Sequence, residues 1–325
     1  MKKRVLLALA CVLTLAVLTA AFMPKATARA AEKLISGEWE YEIADKTATI
    51  TLYRGSKSTV KIPSKLGGKT VTKIGREAFA KNNNIKTVTI PKTVTEIGWK
   101  AFAGCENLTK VKFAKKSKLT KLEDSVFDGC YSLSSIKLPS SLKEIGKSIF
   151  SYCKSLKSLT VPAGVTTLGT GLFYNCENLE KAVIKAKLKE LPADTFWGCT
   201  YLESVSLPST IEVIGNASFG CCASLENFTV PANTKEIAYH AFFSCKNLEV
   251  LNLGSKVTDI AAEIFYGECY NLEAVIIPKT ATNISDRFLS GLGDDAKKYL
   301  VIVAPKGSTA ANWAVSQGIT TREEL

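Results

Sequence analysis

Few residues of this 325-residue chain have the types and spacing that chemistry requires. His240 is its single histidine, which excludes multi-histidine metal sites, the two-histidine zinc-protease helix and any mechanism that needs two imidazoles. It sits in Ala238-Tyr239-His240-Ala241-Phe242, a corner where other segments carry Lys100, Ser148 or Gly171-Leu172. A variable surface slot is expected there, not a catalytic base. Pairing His240 with Cys245 would need an exposed thiolate, and Cys245 occupies a position that the repeat described below buries. Asp124 and Asp128, like Asp294 and Asp295, are loop acids without a periodic partner, and paired-carboxylate hydrolysis needs a shaped cleft. Gly169-Thr170-Gly171 lacks the third glycine of a dinucleotide turn. The ten cysteines include no C-x-x-C pair, so zinc ligation is not expected. The reading is of a non-enzyme with no cofactor and no metal.

What positions these residues is a repeat. Phenylalanines fall at 79, 102, 127, 150, 173, 196, 219, 242, 265 and 288, with spacings of 23, then 25, then 23 throughout. A fixed period between 20 and 29 is the signature of a leucine-rich solenoid. Three places after most of them comes cysteine, at 105, 130, 153, 176, 199, 222 and 245, with Cys269 one residue late. Then follow an aliphatic, two spacers, an aliphatic, one spacer, an aliphatic and often proline, as in Leu133-Ser-Ser-Ile136-Lys-Leu138-Pro139. Aliphatics two apart share one face of a short strand, and proline, which cannot donate to a ladder, ends it. A second short segment such as Leu142-Lys-Glu-Ile145-Gly146 follows, its glycine freeing the backbone for a tight corner. No single coil buries its own apolar residues, whereas a stack makes one continuous core. The periodic aliphatics are therefore packing residues.

The recurring Ile-Gly-x-x-x-Phe-x-x-Cys-x-x-Leu-x-x-Ile-x-Ile-Pro pattern resembles the BspA-like, or Treponema pallidum-type, leucine-rich repeat family of bacterial surface proteins. The resemblance covers roughly residues 38 to 319. It includes Trp39-Glu40-Tyr41-Glu42-Ile43 and Gly67 to Gly75 at the start, and Lys306 to Ile319 at the end. Ala114, Lys185 and Gly254 replace the strand-ending proline, and Pro192 replaces the corner glycine. The fold class expected is a repeat solenoid, mainly β, with short strands in each coil of about 23 residues and a cap at both ends. The divisions are a signal peptide (1–30), an N-terminal cap (31–70), about ten coils (71–300) and a C-terminal cap (301–325). Ser308 is expected to cap a helix whose Ala311, Trp313 and Ala314 cover the last coil. The resemblance implies a surface-exposed binding protein with a role in adhesion.

The leader reads as an export signal. Lys2-Lys3-Arg4 precede an apolar run from Val5 to Met23, and Pro24 and Ala28-Arg29-Ala30 offer a cleavage site before Ala31. Cys11 fits a lipobox poorly. No membrane span is expected after cleavage, and the protein is read as secreted or cell-surface. Nine cysteines follow the leader, an odd number. The coil rise of about 4.8 Å lies within disulfide Cα range, but stacked equivalents point the same way and keep their Cβ atoms too far apart. A ladder of buried free thiols is favoured over disulfides.

The formal charge is +12, or +7 after residue 30. Residues 31–178 carry +11 and residues 179–325 carry −4. The spacer after the Cys-proximal aliphatic runs from Lys86 and Lys157 to Glu180, Glu203, Glu226, Glu249 and Glu273. Lys110, Lys112 and Lys137 occupy neighbouring spacers. These ten residues form the candidate binding surface. The basic half would recognise an extracellular protein or an anionic glycan or cell-wall polymer, and the glutamates a basic partner or divalent cation. Nucleic acid does not suit an exported chain whose basic residues are mostly lysine and whose second half is acidic. The alternative is a wall-associated spacer with no ligand, its charges solvated.

Overall fold

The computed structural model describes residues 32–323; the signal peptide read over residues 1–30 lies outside them. Each coil has three walls. The first is a strand of two to four residues. In Ser158–Val161 the side chains of Leu159 and Val161 are buried while Ser158 and Thr160 face solvent, the alternation that two-apart aliphatics dictate. It pairs in parallel with Lys181–Ile184, residue against residue 23 positions on. Twelve such strands, from Thr59–Lys61 to Thr320–Arg322, form successive sheets of four, three and five. The second wall is a two-residue strand per coil, such as Glu144–Ile145 between Lys121–Leu122 and Thr167–Leu168. It continues from the N-terminal strands β1 (Leu34–Ser36), β2 (Trp39–Ala44) and β3 (Thr47–Tyr53).

The third wall holds the phenylalanines and is built of turns. Alternate N–H groups point in different directions. Those of Glu77, Phe79 and Lys81 donate to the carbonyls of Trp99, Ala101 and Ala103 in the next coil at 2.8–2.9 Å, while those of Ala80 and Asn82 turn back to Glu77 and Phe79. This alternation needs left-handed residues two before and two after each phenylalanine from Phe79 to Phe265. They are mostly not glycine: Glu77 (φ 53°), Lys100 (52°), Ser148 (53°) and His240 (58°) precede it, and Lys81 (59°) and Tyr152 (59°) follow it. Each costs roughly 1–2 kcal/mol of local conformational energy. The inter-coil hydrogen bonds offset that cost by pairing backbone donors that the wall would otherwise bury unpaired.

The corner glycine serves a purpose other than the one read from sequence. Gly98 and Gly169 do not have positive φ. A Cβ at Gly98 would lie 2.9 Å from the nitrogen of Arg76, and one at Gly169 would lie 2.5 Å from the nitrogen of Lys147. The coils touch backbone to backbone there, so glycine supplies space and not torsional freedom.

The ten repeat phenylalanines are fully buried and stack ring upon ring with centroids 4.7–6.2 Å apart. Tyr53 closes the column at one end, 5.3 Å from Phe79, and Trp313 closes it at the other, 4.9 Å from Phe288. Trp313 belongs to helix α2 (Thr309–Ser316), which follows helix α1 (Asp294–Tyr299). Ser308 caps α2 by accepting from the N–H of Ala311, and Ala310, Trp313 and Ala314 are its buried residues, Ala310 taking the place expected of Ala311, which is only partly buried.

Eight cysteines form a second buried column, and all nine described cysteines are free. The ladder thiols are more than small hydrophobes. Each donates to the carbonyl of the phenylalanine one coil back, from 3.0 Å for Cys105 to Phe79 to 3.4 Å for Cys269 to Phe242. The S–H therefore points at backbone, away from the neighbouring sulfur.

Candidate binding surface: a lysine-lined cleft

The one coil of 25 residues decides where the strand wall opens. The strand Ser135–Ile136 pairs with Lys110–Phe113 across that longer step, is itself only two residues long, and ends its sheet. The extra residues form a loop through Lys115, Lys116 (φ 57°) and Ser117. Together the loop, the shortened strand and the next sheet enclose an open cleft of about 1210 Å³. Its apolar floor comes from Val111, Ile136, Leu138 and Leu159, and hydroxyls from Ser135, Ser158 and Thr160 are within it. Seven lysines line it, Lys110, Lys112, Lys115, Lys116, Lys137, Lys181 and Lys185, and no carboxylate does.

Several lysines elsewhere on the molecule are neutralised by carboxylates one coil away. Lys157 meets Glu180 at 2.9 Å and Lys154 meets Glu177 at 2.7 Å. Lys73 bridges Glu96 and Glu123. Glu212 lies between Lys189 and Lys235, whose ammonium groups hold its carboxyl down to about 2. Among the described residues none of the seven cleft lysines makes an ion pair. Unpaired like charges around a concavity repel one another and attract a multivalent anion.

Of the residues proposed from sequence, Lys110, Lys112 and Lys137 come together in the cleft. Lys86 is exposed outside it, and Lys157 is engaged by Glu180. Glu180, Glu203, Glu226, Glu249 and Glu273 stand exposed in a column whose backbones hydrogen-bond directly, as Glu249 N to Glu226 O at 2.7 Å and Glu273 N to Glu249 O at 2.9 Å. Lys115, Lys116, Lys181 and Lys185 were missed. The signal that could have found them was the 25-residue spacing itself. His240 proves more enclosed than a surface slot. Its ring packs 3.7 Å from that of Tyr239, and burial lowers its pKa. Its Nε2 is 3.5 Å from Oε2 of the buried Glu263, which accepts from Tyr239 (2.7 Å) and pairs with Arg287. The group is a packed structural corner.

Parallel three-walled coils of 23 residues, a phenylalanine spine and an open strand face define a leucine-rich-repeat solenoid. The family described as BspA type leucine rich repeat region matches in six copies over residues 72–202 and 167–292, and the chain belongs to that family. The solved leucine-rich repeat protein of Treponema pallidum is 29% identical with a TM-score of 0.55, over 60% of this chain and 91% of that one. A leucine-rich cell surface protein of Faecalibacterium prausnitzii is 23% identical (TM-score 0.40, 92% and 100% covered). A leucine-rich repeat protein of Bacteroides ovatus is 21% identical (TM-score 0.43, 84% and 100% covered). No curated protein matches. The fold and family are consistent with protein–protein binding, and such solenoids are typically non-enzymatic. Among the described residues no helix is long and apolar enough to cross a membrane.

Proposed function

We propose that the protein is an exported, non-enzymatic binding protein of the cell surface or surrounding medium, whose lysine cleft holds an anionic segment of an extracellular glycan, cell-wall polymer or acidic protein. The observation that carries this reading is the cleft of seven unpaired lysines without a carboxylate. Export rests on the basic, apolar and small-residue order of residues 1–30, and the protein recovered from culture is expected to begin at Ala31 by mass spectrometry. An intact leader would count against export with cleavage.

The cleft is tested by titrating the chain from Ala31 with a sulfated glycan and a teichoic-acid-type polymer at low and high salt. Changing Lys110, Lys112, Lys137 and Lys185 together to serine should weaken binding about a thousandfold, since each removes close to 1 kcal/mol of attraction. Changing Lys86 and Lys157 should leave it within about threefold, because one lies outside the cleft and the other is already paired. Saturable binding that ignores the four substitutions would remove the cleft from the proposal. A parent protein with no saturable binding would leave the spacer reading.

A further inference from the structure

The turn wall carries a surface feature remote from the lysine cleft. In the position just after each repeat phenylalanine the first coils have Ala80 and Ala103, but the later ones have Tyr174, Trp197, Gly220, Phe243 and Tyr266. The four rings form an outer stack, half-exposed or exposed, at 6.5, 5.2 and 6.0 Å between centroids. Trp197 reaches across to Phe243 because Gly220 leaves the space between them, and a Cβ at Gly220 would overlap the indole. Tyr152 extends the row, 5.8 Å from Tyr174.

Beside this row runs the residue after each ladder cysteine. Level with the aromatic row it reads Lys154, Glu177, Thr200, Ala223 and Lys246; after Cys269 it is Tyr270, and Glu268, on the other side of that cysteine, supplies the acidic partner of Lys246. Lys154 pairs with Glu177 and Lys246 with Glu268, each at 2.7 Å, and all four side chains are about half exposed. The order is basic, acidic, neutral, neutral, basic, acidic. Read backwards it has the opposite sign at every charged level. A two-fold axis lying in the wall between the levels of Trp197 and Gly220 would set Lys154 against Glu268 and Glu177 against Lys246. The same rotation sets the Trp197 level against the Gly220 level and Tyr174 against Phe243. A column facing its own reversed copy is the pattern of an isologous interface, and tryptophan and tyrosine are the side chains that anchor such contacts.

We infer that this aromatic row is the interface of a two-fold, antiparallel homodimer, with a second copy of this chain as its occupant. It stands independently of the lysine cleft, which faces away on the strand wall. Five steps of about 4.8 Å give the row a length of roughly 24 Å, so the dimer belongs among small, reversible interfaces.

The experiment is sedimentation of the chain from Ala31, which contains the whole compact unit Lys33–Leu325, from low to high micromolar concentration. The parent should pass from monomer to dimer. Lys154→Glu with Glu177→Lys keeps the pair within each chain but sets like charges together across the axis. It should weaken the dimer at least about tenfold. Lys154→Glu with Glu268→Lys breaks both pairs within the chain and preserves both across the axis, so it should dimerise within about threefold of the parent. Trp197→Ala, which leaves the buried spine untouched, should also favour the monomer. A parent that stays monomeric throughout, or dimers indifferent to the first charge pair, would overturn the inference.

Discussion

Phe173→Ala should destabilise the protein by about 4 kcal/mol. Phe173 is fully buried between Phe150 at 6.0 Å and Phe196 at 5.5 Å, so the substitution opens a cavity and removes two stacking contacts together. Aromatic pairs contribute about 0.5–1.5 kcal/mol beyond their buried area. The rings above and below cannot collapse into the gap, because the hydrogen bonds of Phe150 N to Leu172 O and Phe173 N to Thr195 O hold the coils at fixed spacing. A solenoid couples only nearest neighbours. A break in the middle of the spine should therefore also loosen one half of the molecule from the other. Chemical denaturation followed by circular dichroism should show a lower midpoint and a broader transition, with the two halves beginning to melt separately. Phe173→Leu, which fills most of the space, should cost much less. A loss below about 1 kcal/mol for the alanine variant would mean that the spine is not the principal core.

The spine was legible because its signal is periodic. One residue type every 23 positions can only be a column in a stack, and cysteine three places later can only be a second column beside it. Chemistry that depends on departures from the period was harder to read. The longer coil between Phe102 and Phe127 is visible in the spacing, yet only the folded chain brings Lys115 and Lys116 round to Lys181 and Lys185 in one cleft. Neutralisation was missed for a similar reason. Lys157 and Glu180 are 23 residues apart, one coil, and so are neighbours in space; columns read singly conceal that pairing. The left-handed positions of the turn wall gave a signal only where glycine or asparagine fills them, as at Gly104, Gly129 and Asn175. Lys100, Ser148 and Ala217 occupy others, and only glycine or asparagine would have announced such a backbone. The aromatic row was hidden by Gly220, which looks like a gap in the column until Trp197 is seen to cover it.

Mildly alkaline solution should unfold the protein, and the eight ladder thiols are the reason. Burial raises every one of them above the usual thiol range, with Cys105 and Cys269, nearest the two ends, pushed up to about 12 and those between them also well above it. The unfolded chain ionises its thiols near pH 8.5. Below that value both states hold the protons and stability is unaffected. As the pH rises through it, unfolding releases one proton per thiol, and stability is lost over the whole interval up to the raised values of the folded state. One thiol costs about 1.4 kcal/mol per pH unit. Eight acting together therefore cost roughly 11 kcal/mol by pH 9.5, comparable with the whole stability of an ordinary domain. Cys221, only half-buried and outside the ladder, adds less and should be the first thiol to react with an alkylating reagent in the folded protein. Urea midpoints measured under reducing conditions should hold steady to about pH 8 and then fall steeply, with close to eight protons released on unfolding. Changing Cys153, Cys176, Cys199 and Cys222 to alanine should halve that slope while lowering stability at neutral pH, since each loses both volume and its S–H bond to a phenylalanine carbonyl. A midpoint that declines by the equivalent of only one proton would mean that the thiols ionise within the folded chain.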